Sequence, residues 1–240
     1  MKAAKNNLIA ILVLVICCLT FLLLSYFSYK KIDKMASAAM DGYINTVVID
    51  AGHGGEDGGA SSKAGVPEKN INLAISKDLQ SLLEVSGYKV VMTRTEDVSI
   101  ADKNIDTVKG RKTSDMHNRL KILEAQNNCI FVSIHQNFFT QSRYCGAQVF
   151  YSKNNSKSKT LADVVAGEIK GLIQPDNERK SKPATSSIFL LCHAKVPAVL
   201  VECGFLSNDA EAEKLSNTEY QQKIAFAIYC GLMSYLASEN

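Results

Sequence analysis

The chain has 240 residues, 46% of them hydrophobic and 21% charged, with a formal net charge of +3. From Met35 onward 22 Lys+Arg face 23 Asp+Glu, so the positive excess lies at the N-terminus and the remainder is near neutral. That balance, without a basic stripe or a stacking aromatic cluster, gives nucleic-acid binding no electrostatic support. Five cysteines remain after Cys17 and Cys18: Cys129, Cys145, Cys192, Cys203 and Cys230. An odd, widely spaced set with no CxxC pair excludes complete internal pairing, and most of its members read as buried small hydrophobes.

In chain order, Leu8–Phe27 is nearly continuous apolar sequence, long enough for one transmembrane helix. Lysines flank it on both sides, so charge alone does not orient it. An uncleaved signal-anchor is expected. Ala36-Ser37-Ala38 offers a cleaved signal peptide as the alternative. Ile16 before Cys17 is too large for a lipidation signal. The expected organisation is an anchor over 1–29, a juxtamembrane linker over 30–43 and one domain over 44–238.

Within that domain, Thr46–Asp50 predicts a strand. A helix opens at Pro67-Glu68, carries Ile71, Ile75, Leu79 and Leu82/Leu83 on one stripe, and stops at Gly87. Tyr88–Thr93 predicts a strand. Thr95–Lys112 shows no period and is expected to be a long surface loop. Thr113 or Ser114 is then expected to cap a helix running to about Ala125. Strands follow at Ile130–His135 and Ala147–Tyr151, and a helix at Thr160–Ile173. A short apolar piece at Ile188–Cys192 precedes the strand Ala198–Glu202. An amphipathic helix over Thr218–Leu236 ends the pattern. This alternation predicts a single α/β domain with a twisted, largely parallel sheet and helices on both faces.

Chemistry-bearing residues gather where strands end. The loop after the first strand reads Ala51-Gly52-His53-Gly54-Gly55-Glu56-Asp57-Gly58-Gly59. Its glycines permit turns closed to other residues and clear space beside His53. His135 and Glu202 end two further strands, and Glu68 sits in the first turn of a helix. In open α/β sheets the ligand crevice lies outside the carboxyl ends of the strands. Two histidines and one carboxylate form a catalytic zinc set, and a further carboxylate then serves as general base. Taken singly, each residue has a plain structural alternative: a satisfied core histidine for His135, favourable charge at a helix N-terminus for Glu68, an ion pair for Glu202.

Five stretches carry a resemblance to a known family. They are Ile49-Asp50-Ala51-Gly52-His53-Gly54-Gly55, Pro67-Glu68-Lys69-Asn70, Val91-Met92-Thr93-Arg94, Val132-Ser133-Ile134-His135-Gln136-Asn137 and Val201-Glu202-Cys203-Gly204-Phe205-Leu206-Ser207-Asn208. In this order they resemble the zinc-dependent N-acetylmuramoyl-L-alanine amidases of the Amidase_3 family. The resemblance implies one zinc ion per chain on His53, Glu68 and His135, with Glu202 as the catalytic carboxylate. It implies a peptidoglycan substrate, hence a domain outside the cytoplasm, and leaves open the need for an activator protein. Lys109-Gly110-Arg111-Lys112, Arg119 and Gly146-Ala147-Gln148-Val149-Phe150-Tyr151, with the N-terminal anchor, resemble the branch that acts in spore-cortex maturation. Ala51, where the family often has proline, and Cys203 depart from its pattern.

Other polar residues receive lesser expectations. His117 and His193 are read as non-ligands, because three ligands complete the set. Asp50 and Asp57 are expected to accept hydrogen bonds from the ligand histidines, with shaping of the Gly-rich turn as the equal alternative for Asp57. Arg119 is expected either to meet a substrate carboxylate or to form an ion pair on the helix surface. Cys203 points away from Glu202 by strand alternation. A catalytically silent wall-binding domain and another zinc hydrolase, such as a carboxypeptidase or polysaccharide deacetylase, are the competing functions.

Overall fold

The computed structural model describes residues 15–16, 18–32 and 43–239. The chain divides into two compact units, Met1–Tyr43 and Ile44–Asn240. In the first, residues 18–32 are helical and exposed. Among the described residues no helix is long and apolar enough to cross a membrane. Residues 8–14 and 17 of the expected span lie outside those described, as do 33–42 of the expected linker.

The second unit is an α/β domain on one six-stranded sheet. Its strands are β1 (Thr46–Ala51), β2 (Lys89–Met92), β3 (Cys129–Asn137), β4 (Gln148–Tyr151), β5 (Lys182–Pro183) and β6 (Ala198–Phe205). Their order is β2-β1-β3-β6-β4-β5. All neighbours run parallel except β4 against β6. The helices are α1 (Glu68–Val85), α2 (Val108–Glu124), α3 (Lys157–Leu172), α4 (Phe189–His193), α5 (Asp209–Leu215) and α6 (Thr218–Glu239).

Strand alternation explains how both faces are covered. Val47, Ile49, Ile130, Val132, Ile134, Val199 and Val201 pack with the apolar stripes of α1, α3 and α6. Val48, Phe131, Ala198 and Leu200 pack on the other face with Leu120 and Leu123 of α2 and Leu190 and Leu191 of α4. Strands buried on both faces read as near-continuous apolar runs, as β1, β3 and β6 do. Burying each large aliphatic side chain contributes roughly 1.5–3 kcal/mol.

The same alternation sets the site's face. Asp50 continues the set of Val48, His135 that of Phe131, and Glu202 that of Leu200, so all three share the α2/α4 face. Cys203 lies on the opposite face, fully buried among the α1/α3/α6 residues.

Helix α2 corrects one expectation. It begins at Val108, and its cap is Thr107, whose side chain accepts a hydrogen bond from Gly110 N. Thr113 and Ser114 are interior positions, and the expected loop therefore ends at Thr107. The helix is too polar overall for its first two turns to show a period; those turns lie over a polar loop instead of the core. Strand β5 and helix α5 were not foreseen, being only two and seven residues long. Strands β3 and β6 also run past His135 and Glu202, to Asn137 and Phe205.

Candidate metal centre and active site

The parallel register of β3 and β6 pairs His135 with Glu202. Partners across a parallel ladder project to the same side, so these two side chains are neighbours. Strand β1 ends one residue before Gly52, and the chain must then turn sharply over His135. A Cβ on Gly52 would lie 2.3 Å from the His135 ring, so only glycine fits there. The turn brings His53 in from the opposite side, with ring centroids 5.0 Å apart and the rings edge to face.

His53 itself has φ +62°, in the left-handed region. A non-glycine residue there costs of order 1–3 kcal/mol and persists only when surroundings enforce it. Here the enforcement is visible. Arg119 donates to the His53 carbonyl at 2.7 Å. Gly54 and Asp57 close the turn with reciprocal backbone hydrogen bonds of 2.9 and 3.1 Å.

Glu68 enters from the first turn of α1, after Pro67 has set the chain direction. Its side chain is buried. His135 Nδ1 lies 2.9 Å and His53 Nε2 3.3 Å from Glu68 Oε1. The backbone N–H groups of Gln136 and Ala60 donate to its two oxygens at 3.0 and 2.9 Å. Burial alone would raise the Glu68 pKa, but the histidines outweigh it and hold the carboxyl far below its usual range. Burial opposes a charged His53 imidazole, yet Glu68 and Asp57 lift its pKa to about 9.

One donor atom from each of His53, Glu68 and His135 lies within 4.8 Å of the others, and this group could hold a metal ion. Two imidazoles and one carboxylate suit a catalytic zinc ion, which keeps a further position open. The surroundings fit that use. Gly59 has φ +66°, and a Cβ there would lie 2.5 Å from Glu68 Oε2 and 2.7 Å from the His53 ring.

Glu202 is the unusual member. It is half-buried, and its Oε2 is buried with no hydrogen-bond partner. Burial pushes its pKa up to about 7, with the histidines pulling it down and Glu68 pushing it further up. An orphaned carboxylate oxygen beside a metal-binding cluster is costly for folding and useful for accepting a proton.

Asp57 accepts from His53 Nδ1 at 2.8 Å and from Lys112 Nζ at 2.9 Å. This ties the first turns of α2 to the loop, as does the Arg111–Glu56 ion pair. The expectation for Asp50 is corrected. It bonds no histidine, accepting instead from Thr93 Oγ1 at 2.8 Å, Arg119 Nη1 at 2.7 Å and Ser133 Oγ at 2.6 Å. Its strand position faces α2, two register steps before His135, and its hydrogen bonds are taken up by these three groups.

Arg119 is corrected as well. It is 1% exposed, and its guanidinium bonds Asp115 at 2.5 Å, Asp50 at 2.7 Å and the Ala51 and His53 carbonyls at 2.8 and 2.7 Å. It is neither open to a substrate carboxylate nor a surface pair, but the buried support of the His53 turn. The Asp115 pair has helix spacing, but the contacts with Asp50 and the two loop carbonyls are long-range, and helix spacing gave no sign of them.

His117 and His193 stand apart from the cluster, each bonded to the carbonyl four residues back and flanking Phe189. Two further residues of the site emerge only in the structure. Asn72 donates to the Gly52 carbonyl at 3.1 Å and to Glu68 at 3.3 Å, and accepts from Gln136 at 3.1 Å. Arg94, also buried, donates to the carbonyls of Ala51, Gly52 and Lys69. A polar residue inside the apolar stripe of α1 was the available signal for Asn72. Beside His53 and His135 opens a cleft of about 240 Å³, lined by Glu56, Asp57, Ser99 and the α2 residues Arg111, Lys112 and Met116.

The profile of the family described as N-acetylmuramoyl-L-alanine amidase matches residues 47–234. The germination-specific N-acetylmuramoyl-L-alanine amidase of Bacillus subtilis is 31% identical, with 92% of each chain covered. The CwlD amidase of Clostridioides difficile, solved in complex with the GerS lipoprotein, is 43% identical with a TM-score of 0.78, over 81% of this chain and 99% of that one. The amidase AmiC2 of Nostoc punctiforme is 32% identical with a TM-score of 0.67, over 80% and 97%. The broad resemblance drawn from the five stretches is borne out, and so is the narrower one to the spore-cortex branch. With a family profile covering most of its length and relatives this similar end to end, the chain belongs to the Amidase_3 family of N-acetylmuramoyl-L-alanine amidases.

Proposed function

We propose that the chain hydrolyses the amide between the lactyl group of N-acetylmuramic acid and L-alanine in peptidoglycan, in spore-cortex maturation. The observation that carries this reading is the buried, unpartnered Glu202 Oε2 beside the His53, Glu68 and His135 donor atoms. The three donors are proposed to hold one zinc ion and Glu202 to be the catalytic carboxylate. When bound, zinc supplies Lewis-acid polarisation of the scissile carbonyl and lowers the pKa of water to about 7.

The chain's own residues perform the proton work. Asp57 accepts the Nδ1–H of His53, which leaves the Nε2 lone pair facing the centre. Glu202 accepts the proton of the attacking water as the carbonyl carbon is attacked. It then returns that proton to the alanine nitrogen as the C–N bond breaks. A carboxyl group whose pKa is lifted toward neutrality can do both. Arg119, Arg94 and Asn72 hold the loop carbonyls and so fix the geometry.

The substrate lies outside the cytoplasm. The domain is therefore proposed to be exported and held at the membrane by the apolar N-terminal segment. The lipoprotein complex of the C. difficile relative supports a protein partner for this chain too.

The test is digestion of cortex peptidoglycan followed by mass spectrometry, with and without zinc. The expected products are peptides with a free alanine N-terminus and muramic acid without peptide. Loss of terminal residues or of acetyl groups instead would indicate a carboxypeptidase or deacetylase. Intact wall with bound protein would indicate a silent binding domain.

A further inference from the structure

Beyond the zinc-side cleft, on the β4 side of Glu202, a second surface lies at the same edge of the sheet. Arg179 Cζ lies 4.8 Å from the Phe205 ring centroid and 5.8 Å from that of Tyr144. Arg143 Cζ lies 5.4 Å from the same Tyr144 centroid. Phe139 meets Tyr144 edge to face at 5.1 Å. Phe138 and Phe139 are 53% and 47% exposed.

The cluster is anchored to the site's own strands. Phe205 follows Glu202 by three residues in β6 and pairs with Asn137, two residues beyond His135 in β3. Phe139 N donates to Ser207 Oγ at 3.1 Å.

Asp176, Glu178 and Glu211 line the cavity beside Arg179, yet neither arginine is drawn into an ion pair among the described residues. Arg179 uses only its Nε, on the Cys145 carbonyl at 2.8 Å. Two nearby acids are engaged elsewhere: Glu211 accepts from Gly146 N and Phe205 N, and Glu178 pairs with Lys170. A guanidinium stacked on a ring keeps its N–H edge free for a planar, bidentate partner such as a carboxylate.

From this we infer a subsite for a carboxylate of the stem peptide, formed by Arg143 and Arg179 on the Tyr144/Phe205 rings. The inference rests on the amidase reading. Three residues of strand span about 10 Å, and an extended peptide covers about 3.5 Å per residue. The subsite therefore takes a carboxylate of the second or third residue beyond the scissile amide, and selects acidic over amidated stems.

The test uses the full chain, two N-acetylmuramoyl-tripeptides with free or amidated side carboxylates, and the corresponding free tripeptides as binding probes. The double variant Arg143→Gln, Arg179→Gln should lose about tenfold or more of the kcat/KM preference for the free-acid substrate, with melting temperature retained. By calorimetry, the free-acid tripeptide should bind the wild type more tightly than the amidated one, and the double variant should show no such difference. Equal binding of the two tripeptides by the wild type, or an unchanged preference in the variant, overturns the subsite; the surface would then suit a protein partner. Tripeptide discrimination without hydrolysis of either substrate would leave the subsite standing and overturn the amidase reading.

Discussion

At the scale of single residues, the site depends on groups that the fold pays to keep. Glu202 retains a buried oxygen without a partner. Glu202→Gln keeps size and shape but cannot accept a proton. Zinc content should stay at the wild-type level while hydrolysis falls by about 10²–10⁴-fold; near wild-type turnover in a zinc-loaded variant would remove Glu202 from the mechanism. Arg119 acts differently. Arg119→Ala leaves Asp50 as a buried, unpaired carboxylate, which costs about 3–5 kcal/mol. Urea unfolding should show that loss, and turnover per folded molecule should fall as well, because the His53 carbonyl loses its anchor. Activity that merely tracked the folded fraction would show that Arg119 does not hold the turn. Asp50 also predicts a pH dependence. Burial would raise its pKa, but Arg119, His135 and Ser133 hold it below the ordinary value of 3.8. A carboxyl with a lowered folded pKa contributes stability that is present above its unfolded pKa and is lost as pH falls through the folded one. Between pH 5 and 2 the wild type should therefore lose stability more steeply than Asp50→Asn, as read from urea midpoints. Parallel curves would show that Asp50 is not the responsible group.

At the scale of elements, α2 is the part that sequence patterning located least well. Its first two turns carry Arg111 and Lys112, which bind Glu56 and Asp57 over the active-site loop. A helix start that covers polar loop has no apolar stripe, so periodicity begins only where Met116, Leu120 and Leu123 reach the core. The cap itself was legible in principle, since Thr107 is a preferred capping residue. Thr107→Ala should lower stability by about 1 kcal/mol in denaturant titration, with amide exchange accelerated over residues 108–112. Unchanged exchange there would mean that the Arg111 and Lys112 contacts suffice to hold the helix start. Strands β1, β3 and β6 lie at the opposite extreme. Both of their faces are buried, and their apolar runs are legible without any partner.

At the scale of the whole molecule, the domain brings together four residues from three strand ends and one helix start. His53→Ala, Glu68→Ala and His135→Ala should each reduce the zinc content of the purified protein severely, because three side chains supply all the protein ligands of such a site. Full zinc occupancy in all three variants by elemental analysis would sink the assignment. Glu68→Ala should also destabilise the protein, since its carboxylate holds the backbone N–H groups of Ala60 and Gln136.

What the sequence determined alone was the set of elements around β1, β3 and β6, the α/β class, and the polar residues that interrupt apolar runs. Local physics suffices for these, because period, glycine and an ionisable residue at a strand end are written in neighbouring positions. Residue types and spacing alone left open which carboxylate faces the two histidines, and only the family resemblance assigned Glu68 to the ligand set and Glu202 to catalysis. In the structure, register sets Glu202 against His135 and α1 brings Glu68 within reach of both rings. The roles of Asp50 and Arg119 were decided entirely by tertiary structure. They lie 69 residues apart in sequence and meet as a 2.7 Å ion pair, from which Arg119 also reaches the Ala51 and His53 carbonyls. Such a pair leaves no periodic trace, because its energy comes from shared burial and not from spacing along the chain.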